Sequence, residues 1–186
     1  MCGYDASASE PSESALIIVC PEAEPVVGVH RARYDRAAQF GVPAHVTVTY
    51  PFKPPSDLAQ SDETKIEAAL SQSRPFTLRA SRTDWFDQSV LFVALEDQSP
   101  VLWLTQAMAK AFPAFLPYQG VYDEVVPHLT IGHDQPLDVL KEAEREVWST
   151  LPIVQQVDHV DLWTGPALRG PVIEDSWQRA RTYRLG

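Results

Sequence analysis

The stretch "AHVTVTYPF", Ala44–Phe52, is echoed further along the chain by "PHLTIGH", Pro127–His133. Each holds a His, one apolar residue, a Thr and a β-branched residue. Each is introduced by a Val-Pro pair, Val42-Pro43 or Val126-Pro127. In a strand, successive side chains alternate between two faces. His45, Thr47 and Thr49 then share one face, with Val46, Val48 and Tyr50 on the other. His128 and Thr130 likewise stand opposite Leu129 and Ile131. The apolar faces belong in a core, whereas the polar faces need water, a hydrogen-bond partner or a ligand. Strict alternation sends His133, which closes the second stretch, to the core side.

Working outward, "SALIIVCPE" is a β-rich run stopped by Pro21, and residues 26–40 have helical spacing that ends at Gly41. After the first motif, "SDETKIEAALSQS" reads as a helix capped by Ser61 or Asp62. Two antiparallel strands, "FTLRASRTDWF" and "SVLFVALE", turn at Asp87-Gln88. "SPVLWLTQAMAKAF" is a helix with Ser99 as cap and Pro100 in its first turn. Residues 113–125 read as a loop leading into the second motif. An amphipathic helix, "PLDVLKEAEREVWSTL", a strand over "IVQQVDHVDLWTG" and a final strand over "WQRARTYRLG" complete the chain. Each His-x-Thr strand is thus followed by a helix and a strand pair, a duplicated α+β unit. Residues 15–186 form one domain, and residues 1–14, rich in Ser, Ala and acid, are expected to be disordered.

The 186 residues are 45% apolar and 22% charged, with no apolar run long enough to span a membrane, and the first residues, without a basic region or a long apolar stretch, are not expected to act as a secretory leader. Two cysteines, Cys2 and Cys20, make no disulfide framework and point to a reducing cytoplasm; Cys20 ends an apolar run and reads as a buried thiol. The net charge of −10 disfavours a coat for long nucleic acid, which is bound by neutralising phosphates. A small phosphorylated substrate needs only a few cations, and Arg31, Arg33 and Arg36 form one cluster, Arg179, Arg181 and Arg184 another.

If the two halves pack as pseudo-symmetric lobes, the polar faces line one cleft holding two imidazoles and two hydroxyls. That set suits phosphodiester chemistry without a metal or cofactor. A neutral His takes a proton from the nucleophile and a protonated His gives one to the leaving oxygen. Thr hydroxyls donate to the non-bridging phosphate oxygens.

At this point the chain resembles the 2H phosphoesterases, and most closely their bacterial 2′-5′ RNA ligase-like branch, which includes 2′,3′-cyclic phosphodiesterases. His45-Val46-Thr47-Val48 and His128-Leu129-Thr130-Ile131 both match the family's His-x-Thr-x motif, 83 residues apart. The likeness extends from Ala15 to the closing "WQRARTYRLG". It implies a bilobal α+β fold of antiparallel sheets with helices outside and a central cleft. It also implies catalysis by His45 and His128, phosphate binding by Thr47 and Thr130, and no metal. The expected substrate is a nucleotide or RNA end with a 2′,3′-cyclic phosphate, opened to a 2′-phosphate or joined in the reverse sense by a monomeric protein. By the same analogy His128 is the base and His45 the acid. Relatives often carry Arg or Lys just after the second motif, where this chain has His133. Rival readings are a 2H enzyme for another cyclic phosphate, such as ADP-ribose 1″,2″-cyclic phosphate, or a non-catalytic module that binds phosphorylated nucleotides. Tyr50, Phe52, Tyr118 and Tyr122 are the aromatics near the motifs that could stack on a base. His30 reads as part of a solvated helix face and His159 as structural.

Overall fold

The computed structural model describes residues 10–121 and 124–186, so Tyr122 and Cys2 lie outside the described residues. The described residues form eight strands: β1 Glu13–Val19, β2 His45–Thr49, β3 Phe76–Phe86, β4 Val90–Leu95, β5 His128–His133, β6 Ile153–Val157, β7 His159–Gly165 and β8 Gln178–Arg184. They make one antiparallel sheet in the order β6-β3-β4-β5-β2-β1-β7-β8. The two His-x-Thr strands are the central pair. Each heads a quartet, β5-β4-β3-β6 on one side and β2-β1-β7-β8 on the other. The quartets meet through a single paired position among the described residues, Val46 opposite Leu129. The lobes expected from the sequence are therefore two halves of one sheet joined at a thin seam.

The sheet must curl. Flat, six strand spacings would hold β6 about 29 Å from β7. Asp158 alone joins them, and one residue bridges no more than about 7 Å between its neighbours' Cα atoms. The single strand expected over residues 153–165 is thus two strands in different lobes. The reason lies in the apolar phase. Ile153 and Val157 are buried at odd positions, Val160 and Leu162 at even ones, so the pattern slips by one residue at Asp158.

The described residues form five α-helices: α1 Glu24–Tyr34, α2 Arg36–Gln39, α3 Gln60–Leu70, α4 Ser99–Ala111 and α5 Leu137–Trp148. Val27 of α1, Ile66 of α3, Leu104 of α4 and Leu140 of α5 join Val46, Val48, Leu129 and Ile131 in one core. α1 and α5 pack on β5 and α4 packs on β2, covering the apolar face of the motif strands, while α3 packs on α4 and β8; burial of each such side chain contributes roughly 1.5–3 kcal/mol. The opposite face of β1 carries a smaller cluster, Ala15, Ile17, Phe40, Val42 and Trp177.

Several boundaries differ from expectation for identifiable reasons. β1 begins at Glu13, two residues before the expected domain start. The helix over residues 26–40 is broken at Asp35, which is extended (φ −117°) and caps α2 by accepting the Ala37 N–H. The N-cap of α3 is Ala59; Asp62, expected as a cap, instead accepts the Ala59 N–H from the third helical position.

The largest departure is a pair of β-bulges. Along β1, Leu16 faces Thr49 and Ile17 faces Thr47, leaving Val48 as an extra residue. Along β4, Leu91 faces Gly132 and Phe92 faces Thr130, leaving Ile131 as an extra residue. The two insertions occupy the same place in the two motifs, the residue after Thr. Each reverses the alternation beyond it. Thr49 consequently lies in the core at 1% exposure, and Tyr50 joins Ile17 and Trp177 on the His45 face. His133 pairs with Val90, on the face of Phe92 and His128. Strict alternation placed all three the other way. The carbonyl of bulged Val48 is satisfied by the buried Thr105 hydroxyl at 3.0 Å.

Gly132 permits the second bulge to close against the helices: a Cβ there would lie 2.6 Å from Tyr34 Cβ and 3.2 Å from Leu140 Cδ2. Gly132→Val is expected to lower stability by about 1–3 kcal/mol through this crowding. Urea unfolding checks it, and an unchanged midpoint would contradict the close packing.

Candidate active site

The seam pairing at Val46 and Leu129 sets the two motif faces side by side. His45, Thr47, His128 and Thr130 are all half-buried, while Val46, Val48, Leu129 and Ile131 are fully buried behind them. The four residues singled out by the motifs are thus brought to one face of the two central strands.

Each imidazole is fixed in the same way. His45 Nδ1 lies 2.8 Å from the Pro43 carbonyl and His128 Nδ1 lies 2.7 Å from the Val126 carbonyl. A carbonyl oxygen only accepts, so each Nδ1 carries the hydrogen of a neutral ring and each Nε2 keeps its lone pair. The Val-Pro pairs matter here because proline restricts φ and disfavours helix at the residue before it. The acceptor carbonyl belongs to the proline itself at Pro43 and to the residue before the proline at Val126, so one of these two restraints acts on each.

The surroundings of the two rings differ. His128 is walled by Phe86 and Phe92, with ring centroids 4.9 and 5.1 Å away. Burial lowers its pKa, opposed by the Val126 carbonyl and by the Asp35 carboxylate. His45 is pushed down to about 4 by burial and then by the Arg31 guanidinium, with the Pro43 carbonyl and Asp35 opposing. Arg31 is 2% exposed and its Nη2 lies 2.8 Å from Asp35 Oδ2. Asp35 Oδ1 lies 3.4 Å from His133 Nε2. Burial would raise the Asp35 carboxyl, but His133 and Arg31 together hold it at about 2. His133 is in turn raised, first by the Asp35 hydrogen bond and also by Asp134, against the effect of burial. A buried ion pair and a flanking imidazole therefore stand behind His45, whereas aromatic rings flank His128.

The sequence reading named Arg31 only as part of a cation cluster, whereas it is buried and paired with Asp35, and it missed Asp35, Phe86 and Phe92. The one available signal was the Arg31/Asp35 spacing of four on a helix, where such residues are neighbours. The other candidates divide. Phe52 is buried against Phe112 and Phe115 and fills core. Tyr50 and Tyr118 line a pocket together. His30 is not solvated: it is 8% exposed, stacks on Tyr34 and lies 3.4 Å from Glu146. His159 pairs with Asp158. Arg36 donates to the carbonyls of Leu168 and Gly170, and Arg181 and Arg184 pair with Glu63 and Asp158. Cys20 is fully buried. Among the described residues no three His, Cys, Asp or Glu side chains converge as a metal-ligand set, and no helix is long and apolar enough to cross a membrane.

Residues 20–166 match the family model of the 2′-5′ RNA ligase superfamily. The chain belongs to that superfamily. Its match to a Bacillus cytotoxicus protein that carries a phosphoesterase name is 29% identical over 104 residues, or 55% of this chain and 58% of that relative. A similarly named Bacillus anthracis protein is 30% identical over the same shares. The match thus spans less than two thirds of the length of either relative. The fold is that of apo LigT from E. coli, with a TM-score of 0.59 at 15% identity over 95% of this chain and 99% of LigT. LigT complexed with 3′-AMP gives a TM-score of 0.55 at 14% identity over the same shares. The Thermus thermophilus protein TT0787 gives 0.57 at 15% identity, over 93% of this chain and 97% of that one.

The lowered His45 pKa has a consequence for stability. An unfolded chain protonates this ring near pH 6.5, the native one only near 4, so the unfolded state binds more protons between those values. Stability from this group is complete above about pH 6.5 and is lost as the pH falls towards 4. Thermal melting from pH 7 to 4 should fall less steeply in His45→Asn than in the parent. Parallel curves would contradict a His45 ring that is held neutral in the fold.

Proposed function

We propose that this chain is a metal-independent phosphodiesterase that opens the 2′,3′-cyclic phosphate of a nucleotide or RNA end to a 2′-phosphate. The observation that carries the reading is the matched pair of imidazoles. Both have Nδ1 bound to a backbone carbonyl, and a Thr two residues further along each strand shares the same face. One Nε2 takes a proton from water as its oxygen attacks phosphorus. The bond from phosphorus to O3′ breaks, and the other imidazole, protonated, gives its proton to O3′. Thr47 and Thr130 hydroxyls donate to the non-bridging oxygens, where charge builds up. Replacing water by the 5′-hydroxyl of a second RNA end gives a 2′-5′ linkage by the same step, which agrees with the superfamily's name.

The electrostatics favour a division of labour opposite to the one expected by analogy. Asp35 favours charge on both rings, but Arg31 disfavours a second positive charge on His45 alone. His45 is then the base and His128 the acid.

The test is product analysis with 2′,3′-cyclic AMP in EDTA, alongside a panel of other cyclic phosphates. The wild type should release the 2′-phosphate, and His45→Ala and His128→Ala should each lose about 10²–10⁴-fold in rate. Thr47→Val and Thr130→Val should lose less. With both rings lowered, the kcat/KM optimum should lie below about pH 6.5. His45→Ala should erase the acidic limb of that profile and His128→Ala the alkaline one; the converse would restore the analogy-based roles. Turnover of a different cyclic phosphate alone would move the substrate, and nucleotide binding without product would make the chain a binding module.

A further inference from the structure

Beyond the motif pair, the same face of the sheet carries a second feature. Glu13, Tyr50, Tyr118, Gln119, Val121 and Arg169 line a pocket of about 290 Å³. The bulge at Val48 is what brings Tyr50 there, three residues past Thr47 and on the His45 face. Three residues of strand span about 10 Å, so a phosphate held at Thr47 has its own nucleoside within reach of the pocket.

The pocket is built before any ligand arrives. The Tyr50 hydroxyl donates to Glu13 Oε2 at 2.6 Å, and the Leu168 N–H donates to the same oxygen at 3.3 Å. The Tyr118 N–H donates to the Tyr50 carbonyl at 2.7 Å. Arg36 anchors the loop that presents Arg169 by donating to the carbonyls on either side of it. Tyr118 and Gln119 both hold positive φ, 51° and 58°, a backbone that non-glycine residues seldom adopt and that clusters at binding sites.

The charges narrow the occupant. Glu13 and Arg169 bring one charge of each sign, so a second phosphate drawn to Arg169 would meet the Glu13 carboxylate. Two phenol rings with a carboxylate, an amide and a guanidinium suit a flat, neutral group with donors and acceptors on its edge, which is a nucleobase. On the phosphoesterase reading above, we propose that this pocket is the nucleoside subsite, holding the base of the nucleotide whose phosphate sits between His45 and His128.

Two arms test it on the intact chain. In the first, calorimetry measures binding of adenosine 2′-phosphate and of inorganic phosphate to the wild type, Tyr118→Ala and Arg169→Ala. Each variant should weaken the nucleotide about tenfold, the worth of one base contact, and leave phosphate within about twofold. Arg169 is exposed, so its replacement keeps the test open if Tyr118→Ala perturbs the loop. Nucleotide binding unchanged by either variant, or weakened no more than phosphate, overturns the subsite. In the second arm, KM for 2′,3′-cyclic AMP should rise in both variants while kcat/KM for glycerol 1,2-cyclic phosphate, which has no base, stays level. Binding through the pocket with no cyclic ester opened would reject the phosphoesterase reading and keep the subsite. Turnover that the variants leave unchanged on both esters would reject the subsite alone.

Discussion

The site depends on one backbone pairing, Val46 opposite Leu129. Among the described residues it is the one register point at which the strand ladder ties the two quartets together, so it fixes where one His-x-Thr face lies relative to the other. A slip of one residue would turn either motif to the helix-covered core. That slip would bury His and Thr and expose Val46 or Leu129, so the register is enforced by the core. The bulges at Val48 and Ile131 limit the regular alternation to the His-x-Thr unit itself. Past them the backbone reverses, and Tyr50 and His133 extend the polar face at its two ends.

The two strands are alike in backbone and unlike in electrostatics. Both imidazoles hang from a carbonyl two residues upstream, which settles their tautomers identically. Behind His45 stands the buried Arg31–Asp35 pair, and beside His128 stand two Phe rings. Two imidazoles that share a step must hold opposite protonation states, and a symmetric backbone does not by itself favour one assignment over the other. Non-equivalent neighbours bias it, through a buried ion pair that contributes little net stability once desolvation is counted.

Much of this was legible in the sequence. The repeated His-x-Thr unit placed four residues on one face, and the order of helices and strands announced a duplicated α+β fold. The bulges were not legible, because Val48 and Ile131 are ordinary β-branched residues that fit a regular strand equally well. The consequences for Thr49, Tyr50 and His133 were therefore hidden too. The break at Asp158 was visible in principle, since the buried positions change phase there. Asp35 was hidden inside an apparently continuous helix, and its role as a cap emerges only once α1 and α2 are seen to part around it.

The central claim is that the two motifs form one acid–base unit, and a double-mutant cycle on the opening of a 2′,3′-cyclic phosphate tests it most directly. If the imidazoles act in a single step, His45→Ala and His128→Ala combined should be scarcely slower than the slower single variant, because either loss already disables the proton relay. Rate losses that multiply, or a single variant that keeps nearly full activity, would contradict a shared mechanism.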